Sequence, residues 1–221
     1  MSFQWDMSVV SSSIPVILKG VVVAFELWVI CFAIGMIIGS LLGIARSSKN
    51  KMLNLLAICY VEVFRNTPVL IQVIWFYYAL PILTGQQLGG FEAALLGLAL
   101  NTSAYCTEVF RSGILSIPKG QFEGGASIGM RSSQVFRRII LPQVIKRMLP
   151  AFTNRGIELA KMTSLCSVIA VEEIMYQGRL LSAAYFRPLE IFTVVAIVYF
   201  IAIFPGSWCS ARLEKRYAKY D

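Results

Sequence analysis

The apolar positions of this chain fall into five long runs separated by short polar or basic stretches. A helix that crosses a bilayer needs about 20 mostly apolar residues. The first run covers 15–45 and carries no charge from 27 to 45. The second covers 53–80, interrupted by Glu62 and Arg65, and the third 91–116. The fourth, 148–170, carries Arg155, Glu158 and Lys161, and the fifth, 191–211, has no charge. Residues 81–90, rich in Gly and Gln, read as an external loop. The pattern predicts an all-α membrane protein of about five transmembrane helices, folded as one domain over 1–221.

Basic residues orient the spans. Arg46, Lys49 and Lys51 separate runs one and two. Lys119, Arg131, Arg137, Arg138, Lys146 and Arg147 separate runs three and four, and Arg212, Lys215, Arg216 and Lys219 follow run five. The opposite side has only Lys19, Arg179 and Arg187. The positive-inside rule places the segment 117–147 and the C-terminus in the cytoplasm and the N-terminus outside. Residues 1–13 are polar and lack the basic start of a cleaved signal peptide.

Composition agrees. Of 221 residues, 57% are hydrophobic and 14% charged, against about 25% charged in a soluble domain. Such a chain cannot cover itself with a water-soluble surface. The net charge of +8 is explained by basic residues placed between apolar runs, so no nucleic-acid partner is expected. With no histidine, His-based triads, imidazole metal sites and His pH switches are excluded. Cys31, Cys59, Cys106, Cys166 and Cys209 stand singly in apolar stretches, with no CxxC pair. They support neither a disulfide framework nor a zinc site, and read as small hydrophobes.

A charge in a span costs at least ~2.5–3.5 kcal/mol, so partners are needed. Glu62 and Arg65 lie three apart, as do Glu108 and Arg111, which puts each pair on one helix face. Both pairs sit toward cytoplasmic ends, where locking of helices is the simpler role. Arg155, Glu158 and Lys161 form a run of threes beside Thr163, Ser164 and Ser167, read as one stripe facing a polar path. A buried structural triad is the alternative. Pro68 lacks an amide donor and disfavours helix at Thr67, so Asn66-Thr67-Pro68 predicts a bend or an unwound turn. Broken helices at mid-membrane often offer backbone groups to a substrate; a kink satisfied by neighbouring helices is the other reading. Asn101-Thr102-Ser103 is a further polar cluster, in run three. The substrate-path candidates are Asn66, Thr67, Leu70, Asn101, Arg155, Glu158, Lys161, Thr163 and Ser164. Gly35, Gly39 and Gly43 form a small-residue ridge, either a subunit interface or packing within one chain.

The segment 117–147 is patterned too. Pro118 can open a helix and Gly129 close it. Ser132 can cap a second short helix, with Val135, Phe136, Ile139 and Ile140 as an apolar stripe against Arg137 and Arg138, ended by Pro142. Two short helices with apolar and basic faces suit docking onto another protein; a helix lying on the membrane surface is the rival.

Glu123, then Gly129, then Ile139, Leu141 and Pro142 resemble the E-A-A-x3-G-x9-I-x-L-P loop of bacterial ATP-binding-cassette importer permeases. The two alanines are replaced by Gly124 and Gly125, with Ala126 following, which predicts a looser first short helix. The segment 61–68, VEVFRNTP, is similar to the polar amino-acid branch of that family, as are 101–111, ILSIPKG at 114–120 and KMTSL at 161–165. The resemblance covers about 200 residues. It implies a type I importer permease fold, in which Glu123, Gly124, Gly125, Ala126, Gly129, Ile139, Leu141 and Pro142 form the ATPase coupling loop. It implies a second permease subunit, identical or paralogous, two cytoplasmic ATP-binding subunits and a periplasmic solute-binding protein. The location would be the bacterial inner membrane and the cargo an amino acid. The chain has no G-x-x-x-x-G-K-[ST] loop, so ATP and Mg are expected on the partner subunits and no cofactor on this chain. It is then not itself an enzyme. A non-transporting membrane scaffold would explain the docking loop but not the charged stripe in run four. An ion-driven secondary transporter would call for internal repeats or more spans.

Overall fold

The computed structural model describes residues 5–46 and 50–217. Lys49 and Lys219 lie outside these. Every regular element among the described residues is helical.

The first apolar run folds as a single helix, α1 (Met7–Arg46), which starts well before Pro15. Its buried residues, Ser13, Ile17, Gly20, Ala24, Leu27, Cys31, Gly35, Gly39 and Gly43, recur every three or four positions. That spacing is one helix stripe, and it packs along α5 (Gly90–Leu115), the third run. The glycine ridge makes this contact. A Cβ at Gly35 would stand 2.6 Å from Thr102 Cγ2, one at Gly39 2.5 Å from Cys106 Cβ, and one at Gly43 2.7 Å from Phe110 Cβ. The ridge is therefore packing within the chain.

The second run is broken. α2 (Lys51–Asn66) is capped by Asn50, whose side chain accepts from the Met52 and Leu53 amides. It ends at Thr67, which has extended backbone angles. The chain then turns by 100° into α3 (Val69–Ile74), a π-helical turn over Trp75–Ala79 and α4 (Leu80–Thr84). The expected break at Pro68 is present. Pro81 lies inside α4, not in a loop; Gly85, at φ +71°, closes the helix.

α6 (Lys119–Ser127) and α7 (Ser132–Val135) form the patterned loop. A π-helical turn, Phe136–Ile140, then joins α7 to α8 (Leu141–Met162) without a break. Pro142 thus does not end the second short helix. The wider π turn shifts the hydrogen-bond register, so the amide that Pro142 lacks is not required there. Nor does Ser132 cap it: Arg131 stands at the cap position, and its amide donates to Gln134 Oε1 at 2.9 Å. The fourth run starts earlier than its hydropathy shows, and its last part, Thr163–Ile169, is 3-10 helix.

α9 (Ile174–Tyr185) precedes α10 (Pro188–Tyr217), the fifth run. Glu173 is fully buried and caps α9 by accepting from the Met175 and Tyr176 amides at 2.9 and 2.8 Å and from the Tyr199 hydroxyl of α10. Gly20 lets α1 close on this cap, since a Cβ there would meet the Glu173 backbone at 2.8 Å.

By length and composition α1 and α10 can each cross a membrane, and the bent pair from α2 to α4 is long and apolar enough to do so when counted as one broken span. α5 is less apolar because it carries Asn101, Thr102, Ser103 and Thr107, all buried inside the protein; α8 carries Lys146, Arg147, Arg155, Glu158 and Lys161, of which only Arg155 is buried.

Candidate functional site

The break after α2 frees backbone carbonyls that a continuous helix would satisfy. Two side-chain amides take them up. Gln72 Nε2 donates to the Phe64 and Thr67 carbonyls at 2.9 and 3.0 Å, and Asn101 Nδ2 donates to Phe64 O at 2.7 Å. Tyr60 OH reaches Ser103 Oγ at 2.6 Å and fixes α2 across α5. An unmade buried hydrogen bond costs roughly 1–3 kcal/mol, so these contacts hold the break in one shape. Asn66 and Thr67 remain exposed and Leu70 half-buried.

Asn101 also faces α8. Its Oδ1 accepts from Arg155 Nη2 at 2.7 Å, and Thr102 Oγ1 lies 3.3 Å from the same nitrogen. Arg155 Nη1 donates to Glu158 Oε2 at 3.2 Å. The pair is unequal: the Arg155 side chain is 3% exposed and that of Glu158 56%. The arginine is buried in the protein, while the carboxylate is open at its surface.

The guanidinium carbon of Arg155 stacks 4.1 Å from the centroid of the Tyr105 ring, and that of Arg65 sits 5.2 Å from it. Both distances are in cation–π range. Arg65 Nη1 then stands 4.0 Å from Glu108 Oε2. Glu108 is also gripped by Arg111, at 3.1 and 3.0 Å, and by Arg46 at the end of α1. The charges thus form one connected series across α8, α5, α2 and α1. The expected Glu62–Arg65 pair is replaced: Arg65 turns to Glu108, and Glu62 accepts from Asn66 Nδ2 at 2.6 Å.

The run of threes on α8 is not one face. Each residue advances about 100°, so three steps fall ~60° short of a full turn and six fall ~120° short. Lys161 therefore leaves the Arg155 side and borders a hollow against α10 with Ser164, Tyr199, Phe200, Ile203 and Ser207. The Ser164 hydroxyl is turned to Lys161 O at 2.7 Å. Thr163 is buried on yet another side, its hydroxyl on Ala160 O at 2.9 Å. Of the path candidates, Asn101, Arg155 and Glu158 are joined directly. Asn66 and Thr67 are tied in through the α2 break, and Lys161, Thr163 and Ser164 stand apart. Tyr105, Gln72, Thr102 and Tyr60 are added by the fold. Tyr105 lies four residues after Asn101, hence on the same face of α5, which the sequence could have revealed.

The loop forms a second candidate site. Val135, Ile140, Val144 and Met148 join Ile117, Cys106 and Phe152 in one buried cluster that seats the loop on α5 and α8. Arg147 donates to the Ser116 carbonyl. Gly125 is buried, and a Cβ there would meet Val135 Cγ2 at 2.7 Å. The glycine thus lets α6 close on α7, so the departure from alanine tightens this contact. Nothing lies within 4 Å of a Cβ placed at Gly124. Gly129 has φ +78°, a conformation costly for other residues. Ile139 and Leu141 are partly buried; Glu123, Ala126 and Pro142 are exposed. Phe122 and Ile128 are exposed at 40% and 75%, an apolar free surface beside Glu123.

Residues 35–219 match the family described as binding-protein-dependent transport system inner membrane component. The chain is 37% identical over 214 residues to the glutamine transport system permease protein GlnP of Escherichia coli (strain K12), covering 96% of this chain and 98% of that protein. It is 31% identical over 216 residues to the arginine transport system permease protein ArtQ of Bacillus subtilis (strain 168), covering 98% and 99%. Its fold resembles a chain of a solved amino acid ABC transporter with histidines at TM-score 0.90 and 29% identity, over 97% of this chain and 100% of that one.

Proposed function

Because the chain belongs to the binding-protein-dependent transport system inner membrane component family, we propose that it is the permease subunit of an ATP-driven amino-acid importer. The observation that carries this reading is the junction of the exposed Glu158 carboxylate with the buried Arg155–Asn101 pair, beside the α2 break. An exposed carboxylate with one oxygen on a buried arginine has its other oxygen free for a substrate ammonium or cationic side chain. Asn66 and Thr67, exposed at the break, supply neutral polar groups to the same path.

In this reading two permease chains, identical or paralogous, enclose the path between them. Two ATP-binding subunits dock on the 117–147 loops, and a periplasmic solute-binding protein delivers the amino acid from the other side. ATP and Mg belong to the ATP-binding subunits. The basic asymmetry supports a cytoplasmic C-terminus and a periplasmic N-terminus in the inner membrane. α6 packs on α7 and on the π turn that runs on into α8, the helix that bears Arg155, so closure of the ATPases moves the path wall through that continuous segment.

Glu158→Gln keeps size and polarity but removes the charge. Uptake of several amino acids by the purified, reconstituted complex should show normal assembly and basal ATPase activity with altered affinity, most severe for a basic amino acid. An unchanged substrate profile removes Glu158 from the path.

The loop has its own test. Gly129→Leu strains a left-handed backbone position, whereas Gly129→Asn tolerates it. Leu should uncouple ATP hydrolysis from uptake or release the ATPase; Asn should retain coupling. If Gly129→Leu leaves assembly and uptake untouched, the docking role is wrong.

A further inference from the structure

A groove of about 590 Å³ opens between α1, α8 and α10, away from the Arg155–Glu158 pair. Its walls include Phe25, Trp28 and Phe32 of α1 and Gly156 of α8, with Ala202 and Gly206 of α10 opposite. On α1 it extends from Val21 to Met36, roughly 22 Å at 1.5 Å per residue. That is most of the ~30 Å hydrocarbon thickness of a bilayer.

The polar groups on its walls are already satisfied. Trp28 Nε1 donates to Gly156 O at 2.7 Å, Thr153 Oγ1 to Leu149 O at 2.9 Å, and Thr163 Oγ1 to Ala160 O at 2.9 Å. An amino acid would lose its hydration there with nothing in return. A hydrocarbon chain has no polar group to satisfy and matches the apolar walls.

Leu149 lines the groove at the end that is cytoplasmic in the proposed topology, on which this inference rests. Lys146, exposed and three residues earlier in α8, stands one turn beyond it on the same face. A cation at that point matches the phosphate of an inner-leaflet lipid whose acyl chain lies along the groove. We propose that the α1–α8–α10 groove is a binding site for one anionic phospholipid, its acyl chain between Trp28 and Ala202 and its headgroup at Lys146.

Native mass spectrometry of the complex, purified in detergent and supplied with phosphatidylglycerol or phosphatidylcholine, tests this. The native protein should keep one lipid per permease chain through detergent exchange, with phosphatidylglycerol favoured at least fivefold. Ala202→Phe fills the groove and should abolish retention. Lys146→Glu should keep the bound chain but lose the headgroup preference, and this variant decides the matter if Ala202→Phe fails to assemble. A native complex that strips clean, or an Ala202→Phe complex that holds as much lipid, overturns the site. So does a crosslink from Ala202→Cys to a second permease chain, which would put protein in the groove.

Discussion

Arg155→Met will leave little assembled permease in a detergent extract, and what survives will unfold at a markedly lower temperature. Arg155 is buried and two of its acceptors are buried with it; each buried acceptor left without a donor costs roughly 1–3 kcal/mol. Here Asn101 Oδ1 and Thr102 Oγ1 are stranded together, while the exposed Glu158 carboxylate turns to other partners. Arg155→Lys restores the charge, but an ammonium cannot reproduce the planar fork on Asn101 and Glu158 or its stacking on Tyr105. Less than half of the loss should return. Adding Asn101→Leu to Arg155→Met removes one stranded acceptor, so the double variant should be less destabilised than the sum of the two singles. Size-exclusion profiles and thermal midpoints measure each. Native-like stability in Arg155→Met would mean that α5 and α8 are held together by something else.

The second large effect belongs to Gly39. A side chain there meets Cys106 Cβ at 2.5 Å and the Ser103 carbonyl oxygen at 2.9 Å. The second is backbone of a packed helix and cannot swing aside. Overpacking of this kind typically costs about 1–3 kcal/mol. Gly39→Ala should fall in that range, while Gly39→Leu should separate α1 from α5 and prevent accumulation of the protein. Gly124→Ala is the control: its Cβ meets nothing within 4 Å, so stability should hold or rise by ~0.4–1 kcal/mol through a less flexible unfolded chain. The yield of Gly39→Leu and the midpoints of the purified Gly39→Ala and Gly124→Ala variants check the order. A Gly39→Leu protein as stable as the Gly124→Ala control would refute the close contact.

Hydropathy was enough to find the spans in which apolar residues meet lipid, and Pro68 was enough to find the break. It was less informative where the protein is its own solvent. α8 begins well before its apolar stretch because Val144 and Met148 pack on Ile117 and Cys106, while Lys146 between them is exposed. α9 escaped notice because its start depends on Glu173, whose capping role needs Tyr199 and Gly20 from distant parts of the chain. The error over Lys161 was of another kind. Spacing by threes holds for one step and drifts by two, so Arg155–Glu158 was readable and the triplet was not. Arg65 was misassigned because its own helix offered Glu62, while the competing Glu108 and Tyr105 come from α5.

The unbroken passage from α7 through the π turn into α8 makes a lever. Twenty residues separate Val135 from Arg155, roughly 30 Å of helix at 1.5 Å per residue. A tilt of about 5° at the loop end would move Arg155 sideways by roughly 2.6 Å over that length. Arg155 is bound to Asn101 at 2.7 Å, so so small a rotation is enough to part them. The lever has one soft point, Pro150, where the helix lacks a backbone donor. Stiffness at that turn, more than the strength of any bond at either end, sets how much of a push at α6 arrives at Arg155.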